Sequence, residues 1–600
     1  MYQLNNTRPV NSNKKTLVIP LSLSIVDFAK LFFLLGILLL LSIRSVDGNS
    51  ELQKLNDTYV DRWIEFYPSE AFTNGHSEAA WRFENFSEER VASWLEYNQH
   101  ISKLLSTADA KLSVDQNIDA RVLLRQSLME LERWQHDKVL VNQAIYYAEV
   151  ISQALTYVLV RDQFTPEEKI TILMARLRGV QSLSKLGLAS LKNGGQQRTQ
   201  RAVKILTQTL EFYQKNLPGI TKQWTGNKEN KKLDRHIQET EIALNELIKH
   251  IEEQVLPVAS IPDKFENADY ARKLKIFVDS DLTPQQLKHS ALLDIDKTRK
   301  MMSALADTWW QETYPQTQIP AHENALLQKT MIAMENARED NREDFLDFFS
   351  KLTKKAEAFV IEKKLATVPL PRTLKVALSP DHFSGAAYGG VYPTGPFNPD
   401  ADTLFYLPSI PDTSPNEQKT GFYRSFNTHF NTMIIAHEML PGHYLQYKVG
   451  VSTAPAARSL FANGVYVEGW GTFSEELMLN TGWGGGDKLT RLAHLRKRLE
   501  NATRAYLSVM VHDEGWGKQE VIDFATSRGL LAPQFAINLW NRVMNSPLQI
   551  PSYFLGFHAF KELWQQENTR LGDKFNTRDF VDGVLQAGPI PIDALGATFQ

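Results

Sequence analysis

The chain has 600 residues, of which 43% are hydrophobic, 22% charged and 10% aromatic, ample apolar material for a large buried core. Its net charge is −3 and its basic and acidic residues are interspersed, which argues against a basic surface for nucleic acid. It contains no cysteine, which excludes disulfides, iron–sulfur clusters, Cys-ligated zinc and a thiol-linked lipid anchor. Any metal must therefore be held by histidine and carboxylate.

At the amino terminus, Lys14, Lys15 and Lys30 precede an apolar run from Leu31 to Ile43, which Arg44 closes. That run is shorter than the ~20 residues a bilayer-spanning helix needs. It suits the apolar part of a secretory signal, with the small residues of Ser45–Ser50 following. Residues 1–48 are therefore expected to be a signal peptide, or a signal anchor if uncleaved. The expected location is periplasmic or extracellular, with membrane attachment only through residues 31–43.

From about residue 50 to 365 the pattern is helical. Leu124, Leu128, Leu131 and Trp134 recur at helix spacing with charged residues between them. Thr165-Pro166-Glu167-Glu168 and Thr283-Pro284-Gln285-Gln286 each predict a helix start, with a capping Thr, a Pro at the first helical position and an acid or amide at the third. Between Pro371 and Pro411 the texture changes. Leu374, Val376 and Leu378 alternate with other residues, and Thr403–Leu407 is a short extended run after a Gly/Tyr-rich stretch. This predicts a small sheet in a mainly α-helical, zincin-like body. Residues 49–370 form the helical scaffold region and 371–600 the metal-site region, with no linker or repeat to separate them. Glycine-rich breaks interrupt the later helices near Gly482–Gly486 and Gly588.

The chemistry centres on His437-Glu438-Met439-Leu440-Pro441-Gly442-His443. Zinc hydrolysis needs neutral imidazoles and a carboxylate as ligands, an open coordination position, and a base beside it. In the common form of this motif two His lie four residues apart on one helix face. Here the spacing is six, about 600° along an unbroken helix, so the two rings would diverge by roughly 240°. Pro441 cannot bond the carbonyl of His437, and Gly442 tolerates backbone conformations closed to other residues. A helix ended there can return His443 to the metal. Glu468, on the predicted helix that begins near Val467, is the third ligand expected. Glu475 lies two turns further on the same face, where it can orient a ligand.

HEMLPGHYLQ followed by EGWGTFSEE resembles the H-E-x-x-P-G-H-x-x-Q and E-G-W-A-x-Y-x-E signatures of the bacterial domain-of-unknown-function 885 family, regarded as zincin-like and related to the gluzincin peptidases. The likeness extends over most of the chain, from Tyr67–Gly75 to Phe580–Pro591. It implies zinc (Zn2+) held by His437, His443 and Glu468, with Glu438 activating the bound water; Gln446 belongs to the motif without an assigned role. The stretch from Arg504 to His512 departs from the family pattern at Ser508 and Met510, as does Val581 near the end.

Oxyanion donors or substrate clamps are sought in His512, Tyr553 and Arg504, each of which fits a buried structural role equally well. Tyr388 in the Gly/Tyr-rich stretch and Tyr406 on the extended run are candidate substrate contacts. That run is expected to bind substrate backbone by strand addition. The reading is an exported zinc metallopeptidase acting on short peptides. Its rival is a catalytically weak exported binding protein that retains the cleft.

Overall fold

Helix starts follow their caps. Helix α1 (Val114–Leu131) is capped by Ser113, α2 (Pro166–Ser190) by Thr165 and α3 (Pro284–Thr313) by Thr283. In each a side-chain oxygen of the cap accepts from the backbone N–H three residues on, while that residue's side chain accepts from the cap's own N–H. On α1 the leucines Leu124, Leu128 and Leu131 are only half-buried. The buried face instead carries Val122, Leu123, Gln126, Ser127 and Glu130, because Glu130 anchors a hydrogen-bonded knot of aromatic side chains.

The computed structural model describes residues 48–106, 112–379 and 390–599. The apolar leader run and Tyr388 lie outside the described residues. Within them the protein is mainly α-helical with one three-stranded sheet. No helix among the described residues is long and apolar enough to cross a membrane. The chain divides into two compact units, Met1–Leu55 and Asn56–Gln600, and every described candidate residue belongs to the second.

The sheet consists of β1 (Leu374–Leu378), β2 (Gly390–Tyr392) and β3 (Thr403–Leu407) in the order β1-β3-β2. β3 pairs parallel with β1 and antiparallel with β2, and its Thr403, Phe405 and Leu407 face inward, with Phe405 stacked on Phe349. This corrects the expectation of strand addition to Thr403–Leu407. Both edges of that strand are already paired, so the open edges among the described strands belong to β1 and β2.

Six further helices surround the site: α4 (Thr428–Glu438), α5 (His443–Thr453), α6 (Gly464–Asn480), α7 (Lys488–His512), α8 (Pro533–Asn545) and α9 (Ser552–Leu571). α3 packs along α7 and α6 along α9, while α4 rests against both α6 and α7. α6 and α9 cross where Gly469 meets Gly556; a Cβ on either would overlap the other's backbone. The tight link from α6 to α7 places Gly482, Gly484, Gly485 and Gly486 at φ of 102°, 75°, 65° and 76°, a region that glycine enters without steric cost.

Candidate metal centre

His437 and Glu438 are the last two residues of α4, a helix begun by Asn427, whose side chain accepts from Phe430 N–H. Met439 leaves helical geometry (φ −112°, ψ −92°), a cis peptide joins Leu440 to Pro441, and α5 begins at His443. The break cancels the divergence of an unbroken helix: the two imidazole centroids lie 4.6 Å apart, edge to face. Gly442 sits at φ −72° and ψ −140°, and a Cβ there would overlap the carbonyl oxygens of His437 and Ala436. Trp470 Nε1–H donates to Pro441 O at 2.8 Å and pins the turn.

Helix α6 supplies the rest, and each residue of Glu468-Gly469-Trp470-Gly471 has its own task. Glu468 Oε2 lies 3.8 Å from His437 Nε2 and 3.6 Å from His443 Nε2. Gly469 makes the crossing with α9, Trp470 holds the turn, and Gly471 faces the His437 ring, where a Cβ would sit 2.7 Å from the ring carbon. Two turns after Glu468 comes Glu475, wholly buried, with Oε1 2.9 Å from His437 Nδ1 and Oε2 2.8 Å from His494 Nδ1. His443 Nδ1 is in turn 3.1 Å from Gln446 Oε1. With Nδ1–H of each histidine donating to Glu475 or Gln446, each Nε2 turns toward Glu468.

The donor set fits a tetrahedral cation. Ligand atoms about 2.05 Å from such an ion stand roughly 3.3 Å from one another. The two Nε2 atoms and one carboxylate oxygen all lie within 4.8 Å of one another, with the 3.6 and 3.8 Å separations too long for hydrogen bonds. Electrostatics agree. Burial opposes charge on His437, yet Glu468 and Glu475 hold its pKa up at about 10. Burial likewise works against the Glu468 carboxylate, and the two imidazoles hold it far below the usual range. Two carboxylates beside these rings leave the site in want of positive charge. Glu438, half-buried, follows directly on the helix, and its carboxylate makes no hydrogen bond or ion pair among the described residues.

The remaining candidates separate. Tyr553 on α9 lies parallel to the His437 ring at 6.4 Å. Burial and the charge of Glu468 push its pKa up to about 12, so its O–H stays a donor. Arg504 lies over the Tyr553 ring at 5.5 Å. His512 is not brought to the group. It ends α7 eight residues past Arg504, about 12 Å along the axis. Its Nδ1 accepts from Phe265 N–H at 3.1 Å and its Nε2–H donates to Val543 O at 3.1 Å, so no nitrogen is left for chemistry. Tyr406 rests on Tyr392 (5.4 Å) rather than on the histidines. Ser508 bonds Tyr270 and Pro547, and Val581 is wholly buried, so these departures serve packing.

Sequence reasoning passed over Gln549, Arg542 and His494. Gln549 Nε2–H donates to Glu468 Oε1 at 3.1 Å and reaches Tyr553 Oη at 3.4 Å, and Arg542 Nη2–H reaches that hydroxyl at 3.1 Å. No local spacing announces them, because they come from α7, α8 and the turn before α9.

The sequence profile of the family described as "Bacterial protein of unknown function (DUF885)" matches residues 68–598. Two solved structures share the fold. One, a candidate lipoprotein of unknown function from Shewanella oneidensis, superposes with a TM-score of 0.72 at 18% identity, covering 91% of this chain and 98% of its own. The other, a candidate lipoprotein from Colwellia psychrerythraea, gives 0.72 at 16% identity, covering 92% and 99%. No curated protein matches the sequence.

Proposed function

The chain belongs to the bacterial DUF885 family, and from that premise and the geometry of its histidine pair we propose an exported, zinc-dependent peptidase that cleaves short peptides. The observation that carries the reading is the convergence of His437 Nε2, His443 Nε2 and Glu468 Oε2 beside an unengaged Glu438. A binding protein would need the three ligands but not the base. Residues 49–370 act as scaffold and 371–600 carry the chemistry. The lipoprotein designation of the two neighbours supports export. This chain has no cysteine to carry a lipid, so any membrane attachment falls to Leu31–Ile43.

Zinc bound by the three ligands supplies Lewis acidity to a water and to a substrate carbonyl. The protein's own groups do the rest. Glu438 takes the proton from the attacking water and returns it to the leaving amine. Tyr553 O–H, kept protonated, donates to the carbonyl oxygen as negative charge builds on it. Glu475 and Gln446 fix both imidazoles with Nε2 facing inward.

The test compares the zinc-loaded mature chain with Glu438→Gln on a broad mixture of short peptides, read by mass spectrometry. Cleavage by the parent is expected, falling about 10²- to 10⁴-fold in the variant at unchanged zinc content. Absence of cleavage by the zinc-loaded parent contradicts the reading.

A further inference from the structure

Beside the metal centre, two arginines from different helices converge on a single tyrosine, with a lysine sharing the carboxylate that pairs with one of them. Arg504 and Lys497 come from α7 and Arg542 from α8. The two guanidinium carbons lie 5.5 and 5.6 Å from the Tyr553 ring centroid. Glu500 pairs with Arg504 and lies 3.7 Å from Lys497 Nζ, and among the described residues no other carboxylate comes within ion-pair distance of the three. Arg542 forms no ion pair among the described residues; its contacts are neutral, to Tyr553 Oη (3.1 Å) and Gln549 Oε1 (3.5 Å). Arg504 is 6% exposed, and its Nε has no hydrogen-bond partner among the described residues. A guanidinium N–H left unbonded in a buried place is costly unless a ligand meets it.

Arg542 is therefore a cation without an ion-pair partner among the described residues, beside the Tyr553 ring that lies parallel to His437. Gln549 links the two groups: its Nε2–H donates to Glu468 Oε1 and reaches Tyr553 Oη, while its Oε1 accepts from Arg542. An anion held by Arg542 and Arg504 would sit beside Tyr553, whose ring lies 6.4 Å from the His437 ring. Arginine forks match carboxylates in plane and in spacing.

We propose that Arg504 and Arg542, with Lys497 behind them, bind the free C-terminal carboxylate of the substrate, so that the enzyme cuts close to the C-terminal end of short peptides. The assignment rests on the peptidase reading for its consequence, but the carboxylate site is tested by binding alone. A terminal carboxylate is favoured over an acidic side chain because every peptide carries one at a fixed distance from its last amide bond.

The experiment measures, by calorimetry on the zinc-loaded Glu438→Gln chain, binding of tri-alanine, its C-terminal amide and its N-acetylated form. The acid is expected to bind about 10- to 100-fold more tightly than the amide, with acetylation making little difference. In Arg542→Gln, and again in Arg504→Gln, the preference for the acid should fall to about threefold or less while zinc content stays at one per chain. Equal affinity for acid and amide overturns the proposal. So does a loss caused by acetylation instead, or the absence of binding by any of the three. Retained acid preference with no cleavage by the Glu438 parent would sink hydrolysis while leaving the carboxylate site standing.

Discussion

Two carboxylates, the buried Glu130 and the half-buried Glu468, show how differently this fold treats a charge. Glu130 on α1 is 1% exposed and fully enclosed by donors: Tyr67 O–H at 2.5 Å, Trp94 Nε1–H at 2.8 Å, Trp134 Nε1–H and Gln126 at 3.0 Å, and Arg133 at 3.2 Å. Glu468 on α6 receives one hydrogen bond among the described residues, from Gln549, and faces the two imidazole Nε2 atoms at 3.6 and 3.8 Å. The first site is closed by its donors and holds helices together. In the second, both Nδ1 atoms are engaged on the far side, so both Nε2 atoms face the carboxylate, and a proton or a metal cation is needed between them.

Removing the closed carboxylate should have the largest effect on folding. Glu130→Ala strands the Tyr67 and Trp94 donors and leaves Trp134 and Arg133 with Tyr67 Oη alone, and is expected to cost about 3–5 kcal/mol in urea unfolding while the folded fraction binds zinc normally. A cost below about 1 kcal/mol would break the comparison on its closed side.

His512 belongs with the closed group, and pH exposes it. Burial, then the neighbouring Arg198 and Lys264, hold its pKa down at about 4 against a backbone hydrogen bond to Val543 that raises it. The unfolded chain therefore takes up this proton first as pH falls. The stability tied to neutral His512 is complete above pH ~6.5 and lost as pH falls through 4, about 3 kcal/mol in all. His512→Gln should unfold with a correspondingly weaker acid dependence over that window. An unchanged dependence, with peptide cleavage lost, would return His512 to the chemistry.

On the open side, Glu475→Gln should leave stability within reach of the parent but weaken zinc binding about 10- to 100-fold, since His437 loses the partner that orients Nε2. Gln446→Ala is expected to give the smallest change, about tenfold, read by competition with a chelator. Unaltered zinc affinity in both would show that the bonds to Nδ1 do not prepare the site.

Much of this arrangement was legible in the sequence. Thr165 and Thr283 announce their helices because capping is local chemistry, complete within four residues. His437, Glu438 and Glu468 stand out by residue type and spacing, and the Pro441–Gly442 break was foreseeable from what proline and glycine forbid and permit. The clash that a Cβ at Gly442 would make with the carbonyls of His437 and Ala436 was not, because it depends on how tightly the turn after α4 closes. Strand alternation identified β1 and β3 but carries no information about neighbours, so the central place of β3 was hidden. Gln549 and Arg542 meet Glu468 and Tyr553 only through the docking of α8 and α9, and no periodicity reports such docking.

The most direct test of the central claim is the anomalous diffraction of zinc-loaded crystals at the zinc edge. The account predicts one ion per chain, bound by His437 Nε2, His443 Nε2 and a Glu468 oxygen, with Glu475 and Gln446 still on the two Nδ1 atoms. An ion held elsewhere, or a site that stays empty at saturating zinc, would contradict it.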